Sequence, residues 1–259
     1  MKMSGRLLQQ MPKFFITDYD LSVGKIAYIL GEDARHLKKS LRIKNGDNIV
    51  VCDGLGKDYV SKVEEMENDA VLIRISEEFH ENGEPTLKIN LYSAITKGEG
   101  FEYAIKKCIE AGVTSINPII TERTVVNISD SKIDKKTERW NKIAEEAAKQ
   151  SGRSLIPNVS LPRTFETVLK TLNPEELSII CYVNEGTLSL KEVFNQNGDS
   201  KIINIFIGPE GGFTEKEWKT AISKGVLSVT LGKRILKAET AGLFVTAVAM
   251  YEYGELDKK

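Results

Sequence analysis

Histidine and cysteine are scarce in this chain. Only two histidines, His36 and His80, and three cysteines, Cys52, Cys108 and Cys181, occur in 259 residues. An odd number of widely spaced cysteines argues against a disulfide framework and against a zinc site. No HExxH pair is present, so a protein-bound transition metal is not expected. Neither histidine lies near a GxSxG elbow, which leaves a Ser-His-Asp triad without support. Long apolar runs are missing too. The longest uncharged apolar stretch, Ala241 to Tyr251, falls far short of the ~20 residues that span a bilayer. The chain opens without the basic start and apolar core of a signal peptide, so a cytoplasmic location without a membrane partner is expected. Charge of one sign is also absent. Lys and Arg number 36 and Asp and Glu 37, a net charge of −1, so nucleic-acid binding would have to come from a local patch.

What is present fits a folded globular chain: 41% hydrophobic and 28% charged residues, enough apolar surface to offset the ordering entropy. The first eighty residues read as short strands, Phe14 to Ile16, Ile26 to Ile29, Asn48 to Val51, Asp58 to Val60 and Ala70 to Ile73. Turns such as Asn45-Gly46-Asp47 and Asp53-Gly54 separate them, and one short helix from about Asp33 to Ser40 interrupts them. Many short strands in so few residues predict a small closed or half-closed β-barrel. Glu81 to Pro85 is polar with Gly and Pro and reads as a linker, which divides the chain into 1–84 and 85–259.

Beyond the linker, strand and helix alternate. Lys88 to Ile95, Ser115 to Ile120, Leu177 to Val183, Ile202 to Ile207 and Val226 to Leu231 read as strands. Phe101, Ala104, Ile105, Cys108 and Ile109 recur at helical spacing before Gly112, and Trp140, Ile143, Ala144, Ala147 and Ala148 form a second stripe. Thr214-Glu215-Lys216-Glu217 matches a capping box, and a last helix runs from about Glu239 to Tyr253. The pattern predicts an α/β domain with a mostly parallel sheet covered on both faces.

Two loops carry the strongest chemical signal. In Ile205-Phe206-Ile207-Gly208-Pro209-Glu210-Gly211-Gly212-Phe213-Thr214, a buried strand runs into three glycines and then into a capped helix. Glycines allow a sharp turn and a close approach of ligand to backbone, at the strand ends where open α/β sheets bind ligands. The loop matches neither GxxxxGK[ST] nor GxGxxG. In Leu231-Gly232-Lys233-Arg234-Ile235-Leu236-Lys237-Ala238-Glu239-Thr240-Ala241, a second strand feeds a loop with three cations and one carboxylate. A tight turn and a solvated connector explain each loop singly; two such loops at two strand ends make a shared pocket the better reading.

GPEGGFT followed by LGKRILKAETA resembles the RsmE-type ribosomal RNA methyltransferases of the SPOUT superfamily. Met11-Pro-Lys-Phe-Phe, His36-Leu37 through Leu41-Arg42, Gly46-Asp47, Asp53-Gly54, Thr96-Lys97-Gly98 and Glu145 to Arg153 fit the same family, so the likeness covers Met11 to Leu256. The resemblance implies an N-terminal PUA-like β-barrel that helps bind RNA and a C-terminal SPOUT domain with a deep trefoil knot. It also implies a bound S-adenosylmethionine, a homodimer, and methylation of N3 of one uridine of 16S ribosomal RNA, uridine 1498 in the usual numbering, in free RNA or in the small ribosomal subunit. On that reading Ile207, Gly208, Gly211, Gly212, Leu231, Gly232, Leu236 and Thr240 form the cofactor site.

Methyl transfer to an imide nitrogen requires in-line positioning and loss of the N3 proton. Arg234 is expected to stabilise the charge that develops on the uracil oxygens, with Lys97 as an alternative. Glu210 is the expected base if burial raises its pKa. Glu239 is the other carboxylate in reach, although a helix N-terminus alone would explain it. Lys38 and Arg42 in the barrel, and Lys97 and Arg153, are expected RNA contacts. The last helix is apolar over most of its circumference and is expected to be buried, in part against a second copy. Met1 to Gln10 precede the family-like start and receive no function.

Overall fold

The computed structural model describes residues 11–16, 21–79, 83–126, 130–182 and 188–257. Met1 to Gln10, His80, Glu81 and Asn82 of the expected linker, and Val183 of an expected strand lie outside them. Contacts divide the chain into two units. Met1–Glu84 groups with Ala148–Ile156, and Pro85–Ala147 groups with Pro157–Lys259.

The first unit holds β1 (Lys13–Phe15), β2 (Ile26–Leu30), α1 (Gly31–Lys39), β3 (Asn48–Cys52), β4 (Asp58–Met66) and β5 (Ala70–Phe79). The strands form one sheet in the order β1-β3-β4-β5-β2, with β1 parallel to β3 and the other pairs antiparallel. Alternation does what the sequence anticipates. In β2, Ala27 and Ile29 point inward, while Ile26, Tyr28 and Leu30 stay exposed. Phe14, Leu37, Ile49, Val51, Val63, Val71, Ile73 and Ile75 form the core, each side chain contributing about 1.5–3 kcal/mol by leaving water. Among the described residues no ladder joins β1 to β2, so the sheet curls around this core without a closed ring of hydrogen bonds. α1 begins two residues earlier than expected because Gly31, at φ +63°, turns the chain directly out of β2.

Segment 148–156 is part of this unit. Gly56 N donates to Ser154 O (3.1 Å) and Ile156 N to Gly54 O (2.9 Å). Lys13 Nζ bonds Asp58 Oδ2 (2.6 Å), Ser154 Oγ (2.8 Å) and Gly152 O (3.0 Å). Glu84 accepts from Arg153 Nη2 (2.8 Å), Ser154 N (2.7 Å) and Leu155 N (3.1 Å). Burial pushes the Glu84 carboxyl up, but the Arg153 guanidinium and the two backbone amides outweigh it and hold the group below its ordinary value. A depressed folded-state pKa stabilises above the unfolded value, and that stability is lost as pH falls through the folded one. Thus protection of the Ser154 and Leu155 amides against hydrogen exchange is expected to decline below about pH 4.5 in the wild type. Glu84→Gln should be less protected at neutral pH and should lack that acid limb. Equal pH profiles in the two proteins would rule the carboxylate out as the cause.

The second unit contains β6 (Lys88–Ala94), α2 (Gly100–Glu110), β7 (Ser115–Ile120), α3 (Asp130–Gln150), β8 (Asn158–Val159), β9 (Arg163–Thr164), α4 (Phe165–Lys170), β10 (Leu177–Cys181), β11 (Leu188–Ser189), α5 (Leu190–Gln196), β12 (Ile202–Ile207), α6 (Glu215–Ser223), β13 (Leu227–Thr230) and α7 (Ala238–Glu252). The last turn of α3 is counted with the first unit. The sheet is parallel throughout, in the order β11-β13-β10-β12-β6-β7-β8, with β9 on β7. Phe165, Leu169, Ile180, Phe206 and Phe213 fill its core on one side.

A polar row crosses this sheet. Ser115 Oγ donates to Asn90 Oδ1 (2.8 Å), Asn90 Nδ2 to Asn204 Oδ1 (3.0 Å), and Asn204 Nδ2 to Glu176 Oε2 (2.9 Å) and Ser178 Oγ (3.2 Å). Asn90 lies opposite both Ser115 and Asn204, and Asn204 opposite Ser178. A one-residue slip would strand these buried and half-buried groups, so the row pins the register. No helix among the described residues is long and apolar enough to cross a membrane.

Candidate active site

β13, β10, β12 and β6 are consecutive in the sheet and parallel, so their carboxyl ends share one edge. A cavity of about 540 Å³ opens there, within the range of roughly 300–1,000 Å³ typical of small-molecule sites. Each strand supplies a wall: Thr96 and Lys97 after β6, Cys181 and Tyr182 at the end of β10, Ile207 to Glu210 at the end of β12, and Leu231, Gly232 and Arg234 to Lys237 after β13.

The loop after β12 is a tight turn. Gly212 N donates to Pro209 O (2.8 Å), and Gly212 takes φ +67°. A Cβ on Gly208 would lie 3.1 Å from Phe213 Cδ2 and 3.2 Å from the Gly212 backbone. The turn can close only because that position is bare. Phe213 is buried, its ring 5.0 Å from Phe165, and anchors the loop in the core. The expected capping box follows: Thr214 Oγ1 accepts from Glu217 N (3.3 Å) while Glu217 accepts from Thr214 N (2.8 Å). The loop after β13 turns at Gly232, φ +94°, and leads through Lys237 into α7. Ile235 on it is 99% exposed, while Leu236 is half-buried.

Most expected site residues converge here: Ile207, Gly208, Gly212, Leu231, Gly232, Leu236, Lys97, Glu210 and Arg234 all line the cavity. Gly211 and Thr240 do not. Gly211 turns away, its carbonyl accepting from Arg123 Nη1 (2.8 Å), and Thr240 is on an exposed face of α7. Glu210 is exposed, and its Oε1 accepts from Lys97 N (2.9 Å). It lacks the burial expected of it, and it holds the β6 loop against the β12 loop. Lys38 and Arg42 are in the first unit; Lys38 Nζ donates to Asn68 O (3.1 Å), and Arg42 is exposed at φ +53°. The expected reach of Arg153 toward RNA fails on geometry. Arg153 is only 8% exposed and is forked on Glu84, so its charge is spent within the first unit.

Two features of the pocket, the Thr96 hydroxyl and Gly100, escaped the sequence reading, and they stand beside Glu239, the second carboxylate it named. Thr96 is 6% exposed, and its hydroxyl has no hydrogen-bond partner among the described residues. Gly100 opens α2 beside it: a Cβ there would sit 2.8 Å from Thr96 Oγ1 and 3.5 Å from Glu239 Oε2. Glu239 is half-buried, and no described residue gives it a hydrogen bond or an ion pair. A buried hydroxyl and a carboxylate without partners, beside bare backbone, have unmet hydrogen-bonding capacity that a polar ligand can satisfy. Burial pushes the Cys181 thiol up to about 12, which makes it a neutral, unreactive part of the wall at pH 7.

A cavity at the carboxyl edge of a parallel sheet, lined by two glycine-bearing loops and by apolar side chains, cations and carboxylates, defines an open α/β ligand-binding domain. Known proteins make it more particular. The profile of the RNA methyltransferase domain matches residues 83–250, and that of the RNA methyltransferase PUA domain matches residues 29–76. Ribosomal RNA small subunit methyltransferase E of Bacillus subtilis is 30% identical over 248 residues, 93% of this chain and 97% of that one. Its counterpart in Synechocystis is 37% identical over 207 residues, 80% of this chain and 66% of that one. The crystal structure of the Neisseria gonorrhoeae enzyme bound to S-adenosyl methionine superposes with a TM-score of 0.83 at 33% identity, over 93% of this chain and 98% of that one. The chain belongs to the ribosomal RNA small subunit methyltransferase E family of RNA methyltransferases, with the SPOUT α/β fold and an N-terminal PUA domain.

Proposed function

We propose that this protein is an S-adenosylmethionine-dependent methyltransferase of 16S ribosomal RNA and that it modifies N3 of a uridine, uridine 1498 in the usual numbering. The observation that carries the reading is the cavity shared by the two glycine loops, in a chain whose structural relative binds S-adenosyl methionine. The residues fit that cofactor. Ile207, Leu231 and Leu236 offer apolar walls for a purine, the Gly212 and Gly232 backbone is bare, and the Thr96 hydroxyl suits the polar tail. When bound, the cofactor supplies a methyl group activated on a sulfonium.

The chain's own residues do the rest. Arg234, exposed at the cavity, faces the charge that builds on the uracil oxygens as N3 loses its proton. Glu239 is better placed than Glu210 to take that proton, because Glu210 is exposed and already engaged by Lys97 N. Lys38 and Arg42 provide cations on the first unit for the RNA backbone. Residues 1–84, which group with 148–156, serve RNA binding, and the rest of 85–259 carries the knotted catalytic domain. α7 presents Phe244 and Tyr251 to solvent, 40% and 69% exposed, on one stripe with Thr240 and Ala247, and this stripe suits a homodimer contact. A ribosomal RNA substrate places the work in the cytoplasm.

Calorimetric titration of S-adenosylmethionine, followed by nucleoside analysis of 16S RNA and of small subunits incubated with both, tests this. Saturable binding and new 3-methyluridine are expected, from a protein that sediments as a dimer. A different methylated nucleoside would move the target. No binding at millimolar cofactor would remove the enzyme reading.

A further inference from the structure

We propose that Arg123 is a positioning residue for the cofactor site, acting from outside the cavity through the backbone of the β12 loop; this rests on the cofactor assignment above. Arg123 belongs to a turn that follows β7. Thr124 N bonds Thr121 O (3.1 Å), Thr121 N bonds Thr124 Oγ1 (2.9 Å), and the two hydroxyls are 2.9 Å apart. The turn is therefore stiff. It is also tied to α6, since Glu122 N donates to Glu217 Oε1 (2.8 Å) and Thr214 Oγ1 donates to Glu122 Oε2 (3.3 Å).

From this base the guanidinium Nη1 of Arg123 reaches Gly211 O (2.8 Å) and Phe213 O (3.5 Å). Its aliphatic stem covers Gly211, with Cδ and Cβ 3.4 and 3.5 Å from where a Gly211 Cβ would stand. Arg123 does not line the cavity. Gly212, which does, lies between the two clamped carbonyls in sequence, and Gly208, which also does, precedes them by three residues. A charged donor on a backbone carbonyl makes one of the stronger hydrogen bonds in a protein, and here it fixes the outer side of a turn whose inner side forms the ligand wall. On the inner side, Glu210 holds Lys97 N. The loop is thus pinned from two sides, and only the outer pin is an arginine that the reacting groups never meet. A glycine-rich loop held this way enters the complex with less conformational entropy to lose, which strengthens binding without a new ligand contact.

Arg123→Met separates the hydrogen bonds from the packing, because it keeps the stem over Gly211 and removes the donors. Cofactor titration of this variant is expected to show about tenfold weaker S-adenosylmethionine binding, the size of one charge-assisted hydrogen bond. Melting temperature and the salt dependence of RNA binding should match wild type, and turnover at saturating cofactor should be nearly unchanged. Arg123→Lys, which restores one donor, should recover part of the loss. Wild-type cofactor affinity in Arg123→Met would overturn the proposal. So would a loss confined to RNA affinity with a reduced salt slope, which would make Arg123 a phosphate contact. A parallel fall in melting temperature and cofactor affinity that Lys fails to restore would also overturn it, by reducing the residue to a fold contact. A wild-type protein that binds no cofactor would sink the parent reading first.

Discussion

A Gly208→Val protein is expected to bind S-adenosylmethionine roughly 100-fold more weakly than wild type, about 2.7 kcal/mol. The reason is local and steric. A Cβ at 208 already meets Phe213 Cδ2 at 3.1 Å and the backbone of Gly212 at 3.2 Å, and valine adds two methyl groups beyond it. Neither neighbour can retreat. The Phe213 ring is buried against Phe165, and Gly212 is locked in the left-handed region by its bond to Pro209 O. Overpacking in such surroundings costs about 1–3 kcal/mol, and the turn relieves it by opening, which displaces the cavity wall. Gly208→Ala should give an intermediate loss. Gly198→Ala is the control, because its Cβ would meet only Phe194 O at an ordinary 3.8 Å. Calorimetry on the three variants decides the matter: wild-type affinity in Gly208→Val would mean that the β12 loop is not the cofactor wall.

Arg234→Ala is expected to lower kcat by about 10²–10³ while leaving cofactor affinity within about twofold, the pattern of a donor that matters in the transition state. Arg234 lines the cavity and is exposed, and it sits between Gly232, which turns the loop, and Ile235, which projects fully into solvent. If the target is the proposed uridine, the Arg234 guanidinium contributes little to a ground state in which the uracil is neutral, and more as negative charge spreads over the ring oxygens. Arg234→Lys retains the charge but loses the planar fork, so it should restore only part of the rate. Single-turnover measurements with saturating cofactor give the answer. An unchanged rate, or an equal loss in cofactor binding, would strip Arg234 of this role.

The parallel sheet and its two chemical loops were legible because their signals are local. Ile202 to Ile207 is a buried strand by composition, Gly208 to Thr214 is a turn by its glycines, and Thr214 with Glu217 is a helix start by its hydrogen bonds. The same logic could have found α5, where Ser189 and Glu192 form a capping box, and α4, capped by Thr164. Both helices are of seven residues or fewer, too short for hydrophobic periodicity to stand out. The fate of Arg153 was not legible. Its neighbours Lys142 and Lys149 suggest a solvated basic face, but a partner 69 positions away, Glu84, decides that the charge is internal. The lone hydroxyl of Thr96 and the outward turn of Gly211 are likewise matters of three-dimensional neighbours that one sequence does not list. The polar row through Asn90 and Asn204 belongs to the same class, since a single asparagine in an apolar strand reads as a defect until its cross-strand partners are known.

The return of segment 148–156 to the first unit has a consequence for inheritance. A gene fragment that ends at residue 84 encodes the five strands and one helix of its described residues but not the strap that bonds Glu84 and Lys13. Grafted onto another protein, it would carry a carboxylate and an ammonium without their Arg153 and Ser154 partners. The first unit is therefore not a freely portable cassette. Recombination that swaps it must also exchange nine residues from the middle of the second half, or leave Glu84 without Arg153 and Lys13 with Asp58 alone. Lineages of this architecture are expected to change the two halves together, by substitution, more readily than by shuffling.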